Sequence, residues 1–418
     1  MTAIRGRRRN ATIAAFVAGV VGIGAVGGLG YAGVDNLANS RAGRLVTTVA
    51  PDQPMQHLPD TATALVATSD EDGWLTSVAV LALDPSGVGG SIVSLSPSGD
   101  SASGNTSALA PLNAVYVVDG PDELLGAIEG LTGMSFDVAE VLDAERFAAL
   151  ATPLGELTVE LPTELRDAST GQRYAAGVVQ MTPDEAGAAI VSRDPTIDDP
   201  LLDPARAAVW AAIADRVGSG IGAGVTGGAE DATPTTLDEF VARLFAGRVE
   251  HRSFTYKPIA ATRVAEQLAD EYVAAFAEHG DANVTVVAHD RAELLMVLGA
   301  IAPARLGAPF EGPTVRVLAR FAPADLEPLG YNNADVARQA INRLLFAKVN
   351  VMSFGQVDTA PEVTLIEVAS EPELADAEES YGTLFGESEV RVAEALIDGI
   401  DMQITLGRAY LGTVEPAE

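Results

Sequence analysis

The sequence predicts an α/β or α+β chain: a layered domain of strands and helices, a smaller C-terminal βαββαβ domain, and one membrane-spanning helix ahead of both. Three observations carry this expectation. Arginines precede a long uncharged run at the N-terminus. Short apolar runs ending in Asp, Pro, Ser or Gly then alternate with stretches of helical periodicity. After Pro313 the strand pattern restarts and repeats around two helices.

The first element is the N-terminal run. Arg5, Arg7, Arg8 and Arg9 precede residues 11–34, which contain no charge, and about 20 apolar residues suffice to cross a bilayer core. The basic cluster on one side and Asp35 on the other place residues 1–10 in the cytoplasm and the bulk of the chain outside. A cleaved signal peptide shares the basic start. Its apolar core is shorter, however, and no clear small-x-small site follows here. Residues 35–60 are polar and proline-interrupted, as in a stalk.

From Ala62 the strings TALVATS, SVAVLALDP and GSIVSLS read as adjacent core strands. PDELLGAIEGL opens with Pro and two acids, as helices do, and AERFAAL reads as a second short helix. LTVELP at 157–162 is a strand, MTPDEAGAAIVS a capped helix, and residues 203–217 a longer helix. GSGIGAGVTGG at 218–228 looks like a phosphate-cradling loop. It follows a helix, though, and lacks a GK[ST] ending, so a linker over 218–233 is the better reading.

Residues 234–308 read as a helical extension. Thr236 and Glu239 suggest a capping box with Gly247 as the stop, followed by helices over 261–279 and within 289–303. PTVRVLARF at 313–321 opens the last domain, 312–412. Asn333 is a candidate cap for a helix with Val336, Ala337, Ala340, Ile341, Leu344 and Leu345 on one face. Strands VNVMSFG and VTLIEVA, a helix from Ala375 to Phe385, and strands near 388–392 and 402–406 complete it.

Composition bounds function. The net charge of −32 argues against coating nucleic acid, whose phosphates would be repelled. The absence of cysteine removes disulfides, thiol catalysis and a lipidated cysteine. Lys257 and Lys348 are the only lysines, consistent with the codon bias of a GC-rich genome.

The strings SVAVLALDP with SIVSLSP, PLNAVYVVDGPDELLGAIEGLTG and FDVAEVLDAERFAALATPLGELTVELP, in that order, resemble the LytR-CpsA-Psr domain of Gram-positive and actinobacterial cell envelopes. The resemblance covers residues 61–217, and residues 312–412 resemble the LytR C-terminal domain that often follows. It implies a central mixed sheet flanked by helices. It also implies phosphotransferases that move glycopolymers from polyprenyl-pyrophosphate carriers to the cell wall, with the lipid tail in an apolar pocket. Arginines would grip the pyrophosphate, and carboxylates would hold Mg²⁺ if the site is active.

The departures from the family pattern fall on that chemistry. Its "R-S-D-T" is Trp74-Leu75-Thr76-Ser77 here, the arginine of "S-I-P-R-D" falls on Pro97 or Ser98, and the lysine before L-N-A is Pro111. Val191 stands for the first of two paired arginines, and Asp203, Arg206, Val209, Trp210 and Ala211 replace the "D-x-x-R-x-x-R-Q-Q" segment. Arg193 and Arg206 persist as vestigial catalytic groups and, with Asp203, as candidate ligand-binding residues. Asp70 and Asp72 stand near the family's first metal-binding acid. Losing one such donor costs on the order of 10²–10³ in rate, so the resemblance implies an impaired enzyme. The bland alternative makes Arg193 and Arg206 ordinary surface arginines.

Other features favour structural readings. His57, His251, His279 and His289 lack metal-ligand spacing and read as solvated or loop histidines. Glu71–Asp72, Asp198–Asp199 and Glu378–Glu379 read as solvated acidic pairs, and no G-x-S-x-G elbow exists. Trp74 and Trp210, both at positions polar in the family, are expected to fill a disused pyrophosphate pocket. Three functions follow: an impaired envelope protein that binds a polyprenyl-phosphate lipid, glycopolymer or protein partner; an active transferase using Arg193 and Arg206; or an envelope scaffold acting through its C-terminal domain.

Overall fold

The computed structural model describes residues 55–101, 108–221, 233–281 and 284–416. The expected anchor at 11–34, most of the 35–60 stalk and most of the 218–233 linker lie outside the described residues. Among the described residues no helix is long and apolar enough to cross a membrane.

The first domain is built on strands β1 (Thr63–Ser69), β2 (Leu75–Leu83), β3 (Gly90–Leu95), β4 (Val138–Leu142) and β5 (Val249–Ser253), in the order β5-β3-β2-β1-β4. β1–β2 and β2–β3 are antiparallel, while β4 and β5 join the two edges in parallel. The sheet is therefore mixed, with helices on both faces.

Successive strand residues point to opposite faces, and here both faces are covered. Ala64, Val66, Ala79, Leu81 and Ile92 enter one core, against helices α3 (Ala144–Ala151), α4 (Pro183–Val191), α5 (Asp203–Val217) and α6 (Leu237–Ala246). Leu65, Ala67, Val78, Val80 and Val93 enter the other, against α1 (Leu112–Asp119), α2 (Pro121–Thr132) and α9 (Arg291–Ile301). This double burial explains why the strands read as unbroken apolar runs rather than alternating ones.

Residues 234–308 are not the helical extension expected. β5 pairs with β3 from Val249↔Gly90 to Ser253↔Ser94 and completes the first sheet. The 261–279 stretch is two helices, α7 (Ala261–Gln267) and α8 (Asp270–Glu278), interrupted where Leu268 adopts extended backbone. Thr236 accepts from Glu239 N–H as expected, but the Glu239 carboxylate accepts from Thr235 instead of closing the box.

The C-terminal domain has strands β6 (Thr314–Leu318), β7 (Asn350–Gly355), β8 (Thr364–Val368), β9 (Ser388–Val392) and β10 (Met402–Thr405), in the order β7-β6-β10-β8-β9. Val315, Val317, Ile366 and Ile404 pack on helix α10 (Asn333–Phe346) through Val336, Ala337, Ala340, Ile341 and Leu344. The cap of α10 is Asn332, in a reciprocal box with Asp335. Asn333 instead bonds both backbone groups of Phe321. The following helix, α11, spans Glu371–Tyr381, starting earlier than Ala375.

Helix α9 joins the domains. Leu294 and Leu298 belong to the first-domain core, while Ala292 belongs to the C-terminal one. At Gly299 the helix approaches β7 so closely that a Cβ would stand 3.3 Å from Phe354 N.

Candidate functional site

Four chain segments meet at one end of the first sheet and bring buried charges together. Helix α4 is fixed at its start by a capping box, in which Thr182 Oγ1 accepts from Glu185 N–H and the Glu185 carboxylate accepts from Thr182 N–H. It ends at Val191, so Arg193 leaves the helix into the interior with 6% of its surface exposed. A short turn at Asp199–Leu201 leads into α5, whose first turn carries Asp203 and Arg206 three positions apart.

Arg206 is 1% exposed, which rules out the surface reading. Its Nη1 donates to Asp199 Oδ1 at 2.6 Å and lies 3.6 Å from Asp203 Oδ1, while Nη2 donates to the Ser192 carbonyl at 3.0 Å. Ser96, just past β3, donates its hydroxyl to Asp203 Oδ2. Trp74 opens β2 fully buried and donates its indole N–H to Asp199 Oδ2 at 3.1 Å. The Arg193 guanidinium lies 4.6 Å from the centroid of that indole.

The remaining wall comes from residues 254–289. Phe276 and His279 pack against Trp74 at ring separations of 5.1 and 5.0 Å. Asp281 Oδ1 lies 2.8 Å from Arg193 Nη2, and Tyr256 donates to the Pro200 carbonyl at 2.8 Å. Asp70 Oδ2 stands 4.0 Å from Arg193 Nη1, and its Oδ1 accepts from Trp74 N–H at 2.7 Å.

Two guanidiniums thus face the carboxylates of Asp70, Asp199, Asp203 and Asp281. Burial, then the charge of Asp199, pushes Asp203 well above the ordinary carboxylate range, against the pull of Arg206 and Ser96. Burial lifts Asp281 to about 6 despite Arg193. It also raises Asp70, against the Trp74 N–H and Arg193. The Tyr256 phenol is raised by burial and then by Asp203. A site gripping a pyrophosphate needs surplus positive charge, and the balance here runs the other way.

The structure brings Arg193, Arg206, Asp203 and Asp70 together as a group. It does not bring in Asp72, which is exposed and reaches Asp70 only through its backbone N–H at 3.1 Å. Among the described residues no group of three or more His, Asp or Glu side chains could hold a metal ion. The cluster's carboxylates face guanidinium, indole and hydroxyl donors instead. The residues do not fit Mg²⁺.

Other expectations need correction. Asp199 of the Asp198–Asp199 pair is buried, because Arg206 and Trp74 supply its partners. His251 is not solvated but meets Ser94 Oγ at 2.9 Å, and burial pushes both His251 and His289 down to about 4. Trp74 sits at the charged cluster. Trp210 does not: it lies under the sheet, edge-on to Phe147 at 5.1 Å and donating to Ser77 Oγ at 3.0 Å. There it lines an apolar cavity of about 20 Å³ with Val66, Leu81, Ile92, Phe147 and Phe245. That is room for about one water, not for a polyprenyl tail.

Sequence reasoning missed Asp281, Ser96 and Tyr256 as members of the cluster. Nothing local marks them, since each reaches it from a different part of the chain.

No family model matches the chain. No curated protein matches it either. Among solved structures, B. subtilis TagV is similar over 54% of this chain and 99% of its own, at 17% identity and a TM-score of 0.37. B. subtilis TagU is similar over 56% and 92%, at 12% identity and a TM-score of 0.33. The LytR-Csp2A-Psr enzyme from Actinomyces oris is similar over 55% and 97%, at 16% identity and a TM-score of 0.32. Overlaps of this quality carry no argument about activity.

Proposed function

We propose that this chain is a membrane-anchored, extracytoplasmic protein of the cell envelope. In this reading it has a LytR-CpsA-Psr-like core and binds an envelope glycopolymer or protein partner without transferring anything. The observation that carries the reading is the internal neutralisation of Arg193 and Arg206. Both are buried, and each is held by a carboxylate of its own chain at 2.8 and 2.6 Å. A transferase would keep those donors free for the substrate's phosphoryl oxygens. The cavity of about 20 Å³ beneath the sheet supports the same reading, because a carrier lipid has no preformed slot there. The anchor and its orientation rest on the arginines before residues 11–34.

Native mass spectrometry of the full-length protein extracted in detergent, paired with a Mg²⁺-dependent transfer assay, tests this. The expected result is no co-purifying polyprenyl phosphate or pyrophosphate and no turnover. Bound carrier lipid together with turnover lost in Arg193→Ala would overturn it in favour of a transferase with a rearranged site.

A further inference from the structure

The ion pair between Arg193 and Asp281 is incomplete on both sides. Arg193 Nε and Nη2 are both buried with no aligned hydrogen-bond partner among the described residues, Asp281 Oδ1 meeting Nη2 only as an ion pair, and Asp281 Oδ2 is likewise unpartnered. A carboxylate that satisfied this guanidinium fully would engage it through two oxygens, the geometry arginine's planar fork favours. Asp281 makes only the single 2.8 Å contact. An unmet buried donor and an unmet buried acceptor on the same pair each carry a desolvation cost, so the pair is a stopgap more than an optimised bridge.

The surroundings of Arg193 do not share this looseness. The guanidinium lies over the Trp74 indole, whose N–H is held by Asp199 and whose ring is packed by Phe276 and His279. The arginine is therefore held in place independently of Asp281. Asp281 arrives from outside the first-domain core, just beyond helix α8, with its own N–H donated to the Phe276 carbonyl at 3.0 Å. The other neighbours are otherwise engaged. Asp199 is taken by Arg206 and Trp74, and Asp70 by two backbone N–H groups, at 4.0 Å from Arg193.

We propose that Asp281 is an autoinhibitory counter-ion, occupying from within the chain the place on Arg193 that a phosphate-like oxyanion would take. This rests on the reading of the site as closed and supplies the device that closes it. A tetrahedral oxyanion presents several oxygens and would meet both Nε and Nη2, which the single Asp281 contact leaves undone. While the Asp281 charge is present, such a ligand must displace it or sit against a like charge, which weakens its binding.

The test is isothermal titration of the full-length protein with inorganic pyrophosphate at pH 8 in chelator, comparing wild type, Asp281→Asn, and Asp281→Asn combined with Arg193→Gln. Asp281→Asn is expected to bind about tenfold or more tightly than wild type, and the double variant to lose the gain. A folded Asp281→Asn that, like wild type, shows no binding overturns the inference and leaves the closed-site reading standing. A gain that survives in the double variant places the binding elsewhere and also overturns it. Wild type that itself binds pyrophosphate, with Asp281→Asn no tighter, would instead defeat the closed-site reading as well as the inference. Should Asp281→Asn fail to fold, Asp281→Ser takes its place. Failure of both would make the carboxylate a structural requirement, which is incompatible with a displaceable counter-ion.

Discussion

Trp74 donates its indole N–H to Asp199 Oδ2 at 3.1 Å, across 125 positions of sequence. This bond ties the start of β2 to the turn before α5, and Asp199 then holds Arg206 at 2.6 Å. The indole serves as a platform for Arg193 and as a donor toward the partner of Arg206. One side chain thereby links the surroundings of both arginines.

Replacing that residue separates its two roles. Trp74→Phe keeps an aromatic platform but removes the donor, stranding one oxygen of a buried carboxylate at a cost of about 1–3 kcal/mol. Trp74→Ala removes the packing as well and should cost about 3–5 kcal/mol. Urea unfolding measures both: a Trp74→Phe variant as stable as wild type would mean that the Asp199 bond contributes nothing, and equal losses that the ring packing contributes nothing.

Arg206 is the charge whose removal should hurt most. Arg206→Ala leaves Asp199 and Asp203 facing each other without their shared cation, and breaking a buried pair from one side costs about 3–5 kcal/mol. Adding Asp199→Asn relieves one of those charges, so the double variant should be more stable than Arg206→Ala alone. Additive losses in the double-mutant cycle would contradict the coupling.

The pH dependence of stability contains opposing contributions. Asp203 and Asp281 are held above the ordinary carboxylate value, Asp281 at about 6. The unfolded chain therefore releases these protons first, and their contribution falls as pH rises from about 4 through that interval. His251 and His289, pushed down to about 4, act oppositely: the unfolded chain holds more protons between about 4 and 6.5, so their contribution rises. Asp203→Asn isolates one side of this balance. Its stability should gain on wild type between pH 5 and pH 8, and a constant difference across that range would refute the shift.

Trp210 answers a packing question. It is 5% exposed and lines the apolar cavity with Phe147. Trp210→Ala should cost about 3–5 kcal/mol and open a dry cavity large enough to take benzene, detectable by ligand-observed NMR. Unchanged stability would mean that the indole does not hold the helices against the sheet.

Local order was legible because its causes are local. Leu75–Leu83 and Asp203–Val217 follow from a strand buried on both faces and a helix opened by Asp-Pro, and the Thr182–Glu185 box lies within one turn. The resemblance carried Arg193, Arg206 and Asp203 to one site, and the structure places them together with Asp70. Asp72 was misassigned because closeness in sequence to Asp70 does not orient a side chain, and a turn leaves it exposed. The strand at 249–253 was missed because VEHRS carries little apolar pattern of its own; its place is set by the free edge of β3.

The sequence by itself determined the core strands of the first sheet, the helices with local caps and which charged residues are present. Only the tertiary structure decided what those charges face. A guanidinium buried beside Asp281 and one buried beside Asp199 look the same in sequence as two exposed arginines, because partnership across distant segments is fixed by packing. Burying a charge is costly unless its counter-ion is delivered to it, and that delivery is a property of the folded chain alone.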